Sequence, residues 1–379
     1  QHQALDVLSP GVEGIVVGQT VAGRDIWAYR VGDPDSQTGD GGTEPAALIN
    51  GTIHAREWQA PEAVTELFEQ LTEISADGGF GRYLYENVNV VILPVLNVDG
   101  FLQTQRFPDR STASELQPRD GRMRRKNLRH SSSGSAVDED LDQTADNFLG
   151  VDLNRNNPDG FGQNGGSSSG TTSIVYRGTR PQSEPEIAAL LEAAKLGPES
   201  RLRLYTDTHS FSQIFITPIT GASRQDRITR SLVGTMQTVL GGKYRYGQST
   251  DFIGLTSEYF ANELMIPAWT LEIEPLTPSV YGTDHGHSGF ILPNAEVARM
   301  RDEVAAMLLA ALYAQADKPT LLAARIRDAE SGEIRYEASW GEAETGRQLT
   351  VSRNQAILPG RAYRLWLGFN KPMRWRNQA

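Results

Sequence analysis

Short runs rich in apolar and β-branched residues recur along this chain, and segments of helical periodicity separate them. That alternation leaves few arrangements beyond a sheet of buried strands covered by helices. Ala46–Asn50, Val88–Val95, Leu202–Thr208 and Ala268–Ile273 are such runs. Between them, Pro61 stands where a helix's first turn tolerates proline, and Val64, Leu67, Phe68 and Leu71 follow at helical spacing. Ser183–Leu196 opens with Ser-Glu-Pro-Glu, a helix start, and Ser223–Leu240 and Glu296–Ala314 repeat with a 3.6-residue period. Two further strands, Val12–Val17 and Asp25–Val31, flank a turn at Ala22-Gly23, and a strand is expected near Phe148–Leu153. The Gly-, Asp- and Thr-rich stretch Asp33–Glu44 reads as a loop. Asp99–Asn147 has no pattern and reads as one long loop, of a length that is usually functional. The expected fold is α/β, a mixed and mostly parallel sheet flanked by helices. Lys318-Pro319 marks a boundary between a large domain over 1–318 and a small all-β module over 319–379. In that module Leu321–Arg327, Ile334–Trp340, Gln348–Ser352 and Tyr363–Phe369 read as strands joined by Gly-containing turns.

Charge and composition narrow the function. A net charge of −11 over 379 residues argues against a general nucleic-acid binder. The one dense basic stretch, Arg119 to Arg129, has the plain reading of a solvated loop. With no cysteine there is no disulfide, no thiolate metal site and no cysteine nucleophile. No apolar run approaches the roughly eighteen residues that cross a bilayer. The opening Gln1-His2-Gln3-Ala4-Leu5 has neither the basic nor the apolar region of a signal peptide. A start without Met fits a processed protein, so a periplasmic or extracellular location is the expectation. Oligomeric state leaves no mark on the sequence.

The chemistry concentrates in a few residues. In Ile53-His54-Ala55-Arg56-Glu57-Trp58, an imidazole and a carboxylate three residues apart follow a buried strand. They can hold one metal if the turn brings both to one side, although a surface His beside a helix-capping Glu would look the same. Catalytic zinc takes three protein ligands and keeps an open position. A third ligand from another strand's end would complete the set, and His209 stands where the strand Leu202–Thr208 stops, the end at which α/β sheets gather ligands.

With these residues in place, the chain resembles the M14 family of zinc metallocarboxypeptidases, the pancreatic carboxypeptidase type. The matching blocks are Ile53–Trp58, Arg125-Lys126-Asn127, Gly150–Asn156, Thr208–Gln213, Leu271-Glu272-Ile273 and Gly289–Pro293, in the family's order across residues 12 to 316. The resemblance implies one Zn2+ per chain held by His54, Glu57 and His209. It implies Glu272 as general base and Arg125 as the arginine that polarises the scissile carbonyl. It also implies Asn154 and Arg155 gripping the substrate's terminal carboxylate, Arg56 as an accessory substrate arginine, and Phe290 in the substrate site. The implied activity is hydrolysis of the C-terminal peptide bond of a peptide with a free carboxylate. Arg124 competes with Arg125, and Glu274 with Glu272; the block pattern favours Arg125 and Glu272. His285 and His287 could hold a second metal, against the simpler reading of a solvent-facing loop.

Departures from the family bear on specificity. No Tyr lies between Tyr246 and Tyr259, where the family carries a mobile tyrosine, and ungapped counting lands on Thr250. Asn157 and Phe211 replace a common tryptophan and tyrosine. In the family the base of the pocket for the departing side chain lies fifteen residues before the general base, so the resemblance implies Ser257 there, with Thr220, eleven after His209, on its wall. A small uncharged base predicts neutral, apolar or aromatic C-terminal residues; Asp251 or Glu258 in its place would invert the preference. The alternatives are a hydrolase of the same fold acting on peptidoglycan stem peptides or acyl-amino acids, and a binding protein that kept the scaffold.

Overall fold

The computed structural model describes residues 2–3, 9, 11–38, 42–77, 83–106, 121–129, 150–163, 165–249, 253–280, 289–316, 321–343 and 346–369. The chain divides into two compact units, Gln1–Ala316 and Asp317–Ala379. The first is built on an eight-stranded sheet, ordered β1-β2-β4-β3-β5-β8-β6-β7. Its strands are β1 (Val12–Gln19), β2 (Asp25–Val31), β3 (Ala46–Gly51), β4 (Asn89–Leu93), β5 (Leu202–Ser210), β6 (Ile214–Pro218), β7 (Arg245–Ser249) and β8 (Ala268–Ile273). The central β4-β3-β5-β8 strands are parallel, while β1, β2 and β6 add antiparallel pairings. The helices are α1 (Gln59–Asp77), α2 (Val98–Arg106), α3 (Pro185–Ala193), α4 (Ser223–Val239), α5 (Thr256–Asn262) and α6 (Asn294–Ala316).

The strand period of two sorts the central side chains between two apolar layers. Ala47 and Ile49 of β3, with Val90 and Ile92 of β4, pack among Val64, Leu67 and Phe68 of α1, Val233 of α4 and Val304 and Leu308 of α6. Ala46 and Leu48, with Val91 and Leu93, face Ile187 and Leu190 of α3 and Phe260 of α5. Every residue of β3 and β4 is buried, which is why their sequence is continuously apolar rather than alternating. Gly51 closes β3 where the backbone passes so near its neighbours that an added Cβ would sit 2.9 Å from the Pro94 carbonyl oxygen and 3.2 Å from that of Ala60. The central parallel strands therefore end together at one edge.

Two local expectations give way. The stretch near residues 148–153 forms no strand among its described residues; instead Leu153–Arg155 is a 3-10 turn. Asp152 turns its carboxylate onto the Asn154 N–H two residues on, and this local bond competes with extended pairing. The long segment expected as loop contains α2 and a 3-10 turn, Gly121–Met123. The boundary dipeptide Lys318-Pro319 and the polar stretch 131–145 lie outside the described residues.

The second unit contains a four-stranded antiparallel sheet, β11-β10-β9-β12, of β9 (Leu321–Asp328), β10 (Ile334–Ala343), β11 (Gly346–Asn354) and β12 (Tyr363–Phe369). No described helix of the protein is long and apolar enough to cross a membrane.

Candidate metal centre and active site

Three buried side chains meet at the strand-end edge: His54 in the turn after β3, Glu57 just before α1, and His209 in β5. Thr52, with φ of 58°, bends the chain out of β3, and its hydroxyl donates to the Pro94 carbonyl at 2.9 Å. One ligand-competent atom from each of the three lies within 4.8 Å of the others. His54 Nδ1 is 2.9 Å from Glu57 Oε1 and 3.1 Å from His209 Nδ1, which is itself 2.9 Å from Glu57 Oε2.

The opposite nitrogen of each ring meets a fully buried carboxylate. His54 Nε2 lies 3.1 Å from Asp152 Oδ1, and His209 Nε2 lies 2.8 Å from Asp207 Oδ2. A proton on Nε2 directed at a carboxylate leaves Nδ1 with its lone pair toward the centre, the tautomer a metal needs. Burial pushes the Glu57 carboxyl up, but His54 and His209 outweigh it and hold it well below the carboxylate range. Burial likewise opposes charge on His209, yet Asp207 and Glu57 keep its pKa well above the usual imidazole value. Carboxylates that hold a proton on His209 so firmly suit a dication in its place. Two imidazoles and one carboxylate are a zinc donor set, so the residues fit that ion.

Glu272 stands beside this group because β5 and β8 pair in register, His209 opposite Glu272. Its Oε2 is buried and has no hydrogen-bond partner. Burial, reinforced by Glu57 and Asp207 and opposed by His209 and Arg125, lifts its pKa to about 8. Glu274 is occupied elsewhere, 2.9 Å from Arg299 and 3.4 Å from Lys243.

Asp152 joins the metal group to Arg125. Its Oδ2 accepts from the Arg125 guanidinium at 3.0 Å, while Oδ1 meets His54 and accepts the Asn154 N–H. Gly150, at φ of 90°, lets the chain turn where a Cβ would collide with the Asn127 carbonyl at 2.0 Å. Beyond it Val151 bonds to Asn127, and the Arg125 carbonyl accepts the Ala55 N–H, so both loops are sewn to the His54 turn. Among the described residues 121–129 the basic stretch is no solvated loop: Arg122, Arg124 and Lys126 are buried. Arg122 donates to the Arg56 and Phe290 carbonyls, Arg124 to Asn127, and Lys126 to Thr171 and Ser173.

The other expected residues fall around this centre with varying fit. Asn154 Nδ2 is 3.2 Å from His209 Nε2, and its Oδ1 accepts the Thr256 N–H at 2.9 Å. Arg155, half-buried, donates to the Gly166 and Asn154 carbonyls. The Arg56 guanidinium lies 3.9 Å over the Phe290 ring, and Phe290 meets Phe211 edge-on at 5.2 Å. A cavity of about 490 Å3 borders Phe290, with Trp58, Glu62, Arg122 and Met300; none of the three metal-competent residues lines it. Ser257 is buried at the start of α5, 3.1 Å from the Thr270 hydroxyl, two residues along β8 from Glu272. The Glu258 carboxylate is spent on the N–H groups of Ile253, Gly254 and Leu255, and Thr220 is bound to Asp226. Thr250, Asp251, His285 and His287 lie outside the described residues.

Comparison with known proteins agrees with this geometry. The zinc carboxypeptidase family, Peptidase_M14, matches residues 5–307. The chain belongs to this family. Zinc is the family's cofactor, and the His-Glu-His group is a place for one ion. A metallocarboxypeptidase A-like protein of Trichophyton verrucosum is 32% identical over 55% of this chain and 42% of its own. Carboxypeptidase A1 of Rattus norvegicus is 26% identical over 79% of this chain and 64% of its own, so the chain spans less than two thirds of either relative. The crystal structure of carboxypeptidase A from Helicoverpa armigera shares the fold, with a TM-score of 0.63 at 22% identity over 83% of this chain and 72% of that one.

Asp152 and Asp207 are functional residues with no ligand pattern of their own in the sequence. Each carried a signal: Asp152 sits inside the Gly150–Asn156 block, and Asp207 is an acid in the buried strand β5, two residues from His209 on the same face.

Proposed function

We propose that this protein is a zinc carboxypeptidase that hydrolyses the C-terminal peptide bond of peptides. The observation that carries the reading is the convergence of His54, Glu57 and His209 with the unpartnered Glu272 oxygen across one strand pair. His54 Nδ1, His209 Nδ1 and the Glu57 carboxylate would hold the ion. Zinc, when bound, supplies Lewis acidity that lowers the pKa of a water and polarises a carbonyl.

The chain's own groups do the rest. Glu272 takes the attacking water's proton and passes it to the departing amine, a role open to it because its Oε2 has no hydrogen-bond partner beside the metal-competent residues. The Arg125 guanidinium, oriented by Asp152, stabilises negative charge developing on the carbonyl oxygen. Arg124 is unsuited to that task because it is buried against the Asn127 carbonyl. Arg155 offers a planar fork to the terminal carboxylate, with Asn154 beside it. Arg56 and Phe290 flank the remainder of the peptide. Ser257, small and uncharged, favours neutral and apolar terminal side chains, and the backbone bonds of Glu258 keep that carboxylate from serving as a pocket base. The second unit carries none of these residues, and truncation after Ala316 is expected to leave turnover intact.

The test is release of C-terminal residues from N-blocked peptides by the zinc-loaded protein. Release should stop when the peptide's C-terminus is amidated. Equal cleavage of free and amidated peptides would overturn the carboxylate-recognition reading.

A further inference from the structure

Away from the zinc site, a second group of carboxylates gathers on the loop between β2 and β3. Carboxylate oxygens of Asp33, Asp35 and Glu44 lie within 4.8 Å of one another. Like charges so placed repel, and a cation held between them would relieve that repulsion. Glu44 sharpens the point. It is fully buried; one oxygen accepts from Asn89 Nδ2, while Oε1 is buried with no hydrogen-bond partner. Arg30 lies close enough to act on Glu44, but its guanidinium donates to Glu13 Oε2 and to the side-chain Oδ1 of Asn89. Burial first, then Asp33 and Asp35, lifts the Glu44 pKa to about 7.

We propose that Asp33, Asp35 and Glu44 form a calcium site that braces the entry to β3. The donors are all oxygens, the choice of a hard cation rather than zinc. Calcium binds oxygens at about 2.3–2.6 Å, so its ligand oxygens stand no farther apart than about 4.6–5.2 Å, and these carboxylate oxygens lie within 4.8 Å of one another. Magnesium demands a tighter octahedron, which an irregular loop with exposed Asp35 supplies poorly. The order of residues points the same way. Asp33, Asp35 and Glu44 are the first, third and twelfth of a twelve-residue stretch, the spacing at which helix-flanked calcium loops place their acidic ligands. Here strands flank the stretch, Gln37 holds the fifth position with an amide oxygen, and Thr38 stands at the sixth in place of glycine. A bound ion would neutralise the buried Glu44 charge one residue before Pro45, whose carbonyl accepts the Asn89 N–H at the start of β4. It would therefore stabilise the sheet without entering the chemistry.

The experiment uses the full zinc-loaded chain dialysed into calcium-free buffer, with zinc content verified. Calorimetric titration with CaCl2 should give one site with a dissociation constant of about 10⁻⁴–10⁻³ M, the range of weak calcium modules. At 10 mM CaCl2 the Tm should rise by about 2–5 °C. MgCl2 at equal ionic strength should give less than half that rise. E44Q and D35N should each lose the titration heat and the Tm response while zinc content and kcat/KM stay unchanged. If E44Q fails to fold, D35N decides, because Asp35 is exposed. A flat calorimetric trace, equal effects of calcium and magnesium, or a calcium response that survives D35N would overturn the site.

Discussion

Asp152 is the residue whose replacement asks most of this account. One buried carboxylate holds the His54 tautomer, pairs with Arg125 and caps the turn that carries Asn154 and Arg155. Asp152→Asn keeps the shape and removes the charge. If the asparagine oxygen stays toward His54, its NH2 group faces the donors of Arg125. If the amide flips, the NH2 faces His54 Nε2, which must then accept, and the ring proton moves to the Nδ1 that faces Glu57. Either way one function is lost. A partner that orients a metal-ligating His is worth about 10- to 100-fold in affinity or activity. A hydrogen bond to a charged group is worth about 1.5–3 kcal/mol, again roughly 10- to 100-fold. Because both losses share one carboxylate they will not simply add; a fall in kcat/KM of about 10²–10³ is expected. The assay is kcat/KM on a blocked dipeptide at saturating zinc, with zinc affinity measured by competition against a chromophoric chelator. A variant within threefold of the parent in both would refute the bridging role.

Other outcomes follow from the same geometry. Glu272→Gln should keep zinc and lose on the order of 10²–10⁴ in kcat, while Glu274→Gln, which disturbs the Arg299 and Lys243 pairings, should lower Tm more than turnover; the reverse pattern would move the base to Glu274. The parent should prefer Phe or Leu over Lys or Arg at the C-terminus by about ten- to a hundredfold in kcat/KM, and Ser257→Asp should narrow that ratio, whereas an unchanged ratio would take Ser257 out of the pocket. Burial, with Glu184 adding to it, lifts the buried Glu186 to about 7. Since its folded pKa exceeds the unfolded value, its contribution is complete below about pH 4.5 and lost as pH rises through 7. Glu186→Gln should therefore gain stability relative to the parent between pH 5 and 8, and parallel Tm-pH curves would contradict the shift.

The central strands were legible because burial on both faces writes them as continuous apolar runs, as in β3 and β4. The outer pair β6 and β7 escaped notice because each is five residues long and β7 is only half-buried, its sequence Arg245–Ser249 mostly polar. Helix α2 begins Val98-Asp99-Gly100, and glycine is a poor helix former; in the fold the Gly100 N–H is taken by the Asn97 side chain, and a Cβ there would meet Ala55 at 2.9 Å. The metal-competent residues were legible because ligand chemistry admits few residue types. Asp152 and Asp207 were not, because a carboxylate that orients a metal ligand is not itself a ligand and betrays its role only when the fold sets it behind an imidazole.

The claim on which everything rests is that His54, Glu57 and His209 hold one catalytic zinc. Metal analysis of the purified protein and of His209→Ala, after dialysis against zinc-limited buffer, tests it most directly. About one equivalent per chain is expected in the parent, with zinc and peptide hydrolysis lost together in the variant while its circular dichroism stays native. A folded His209→Ala protein that retained a full equivalent of zinc would contradict the account.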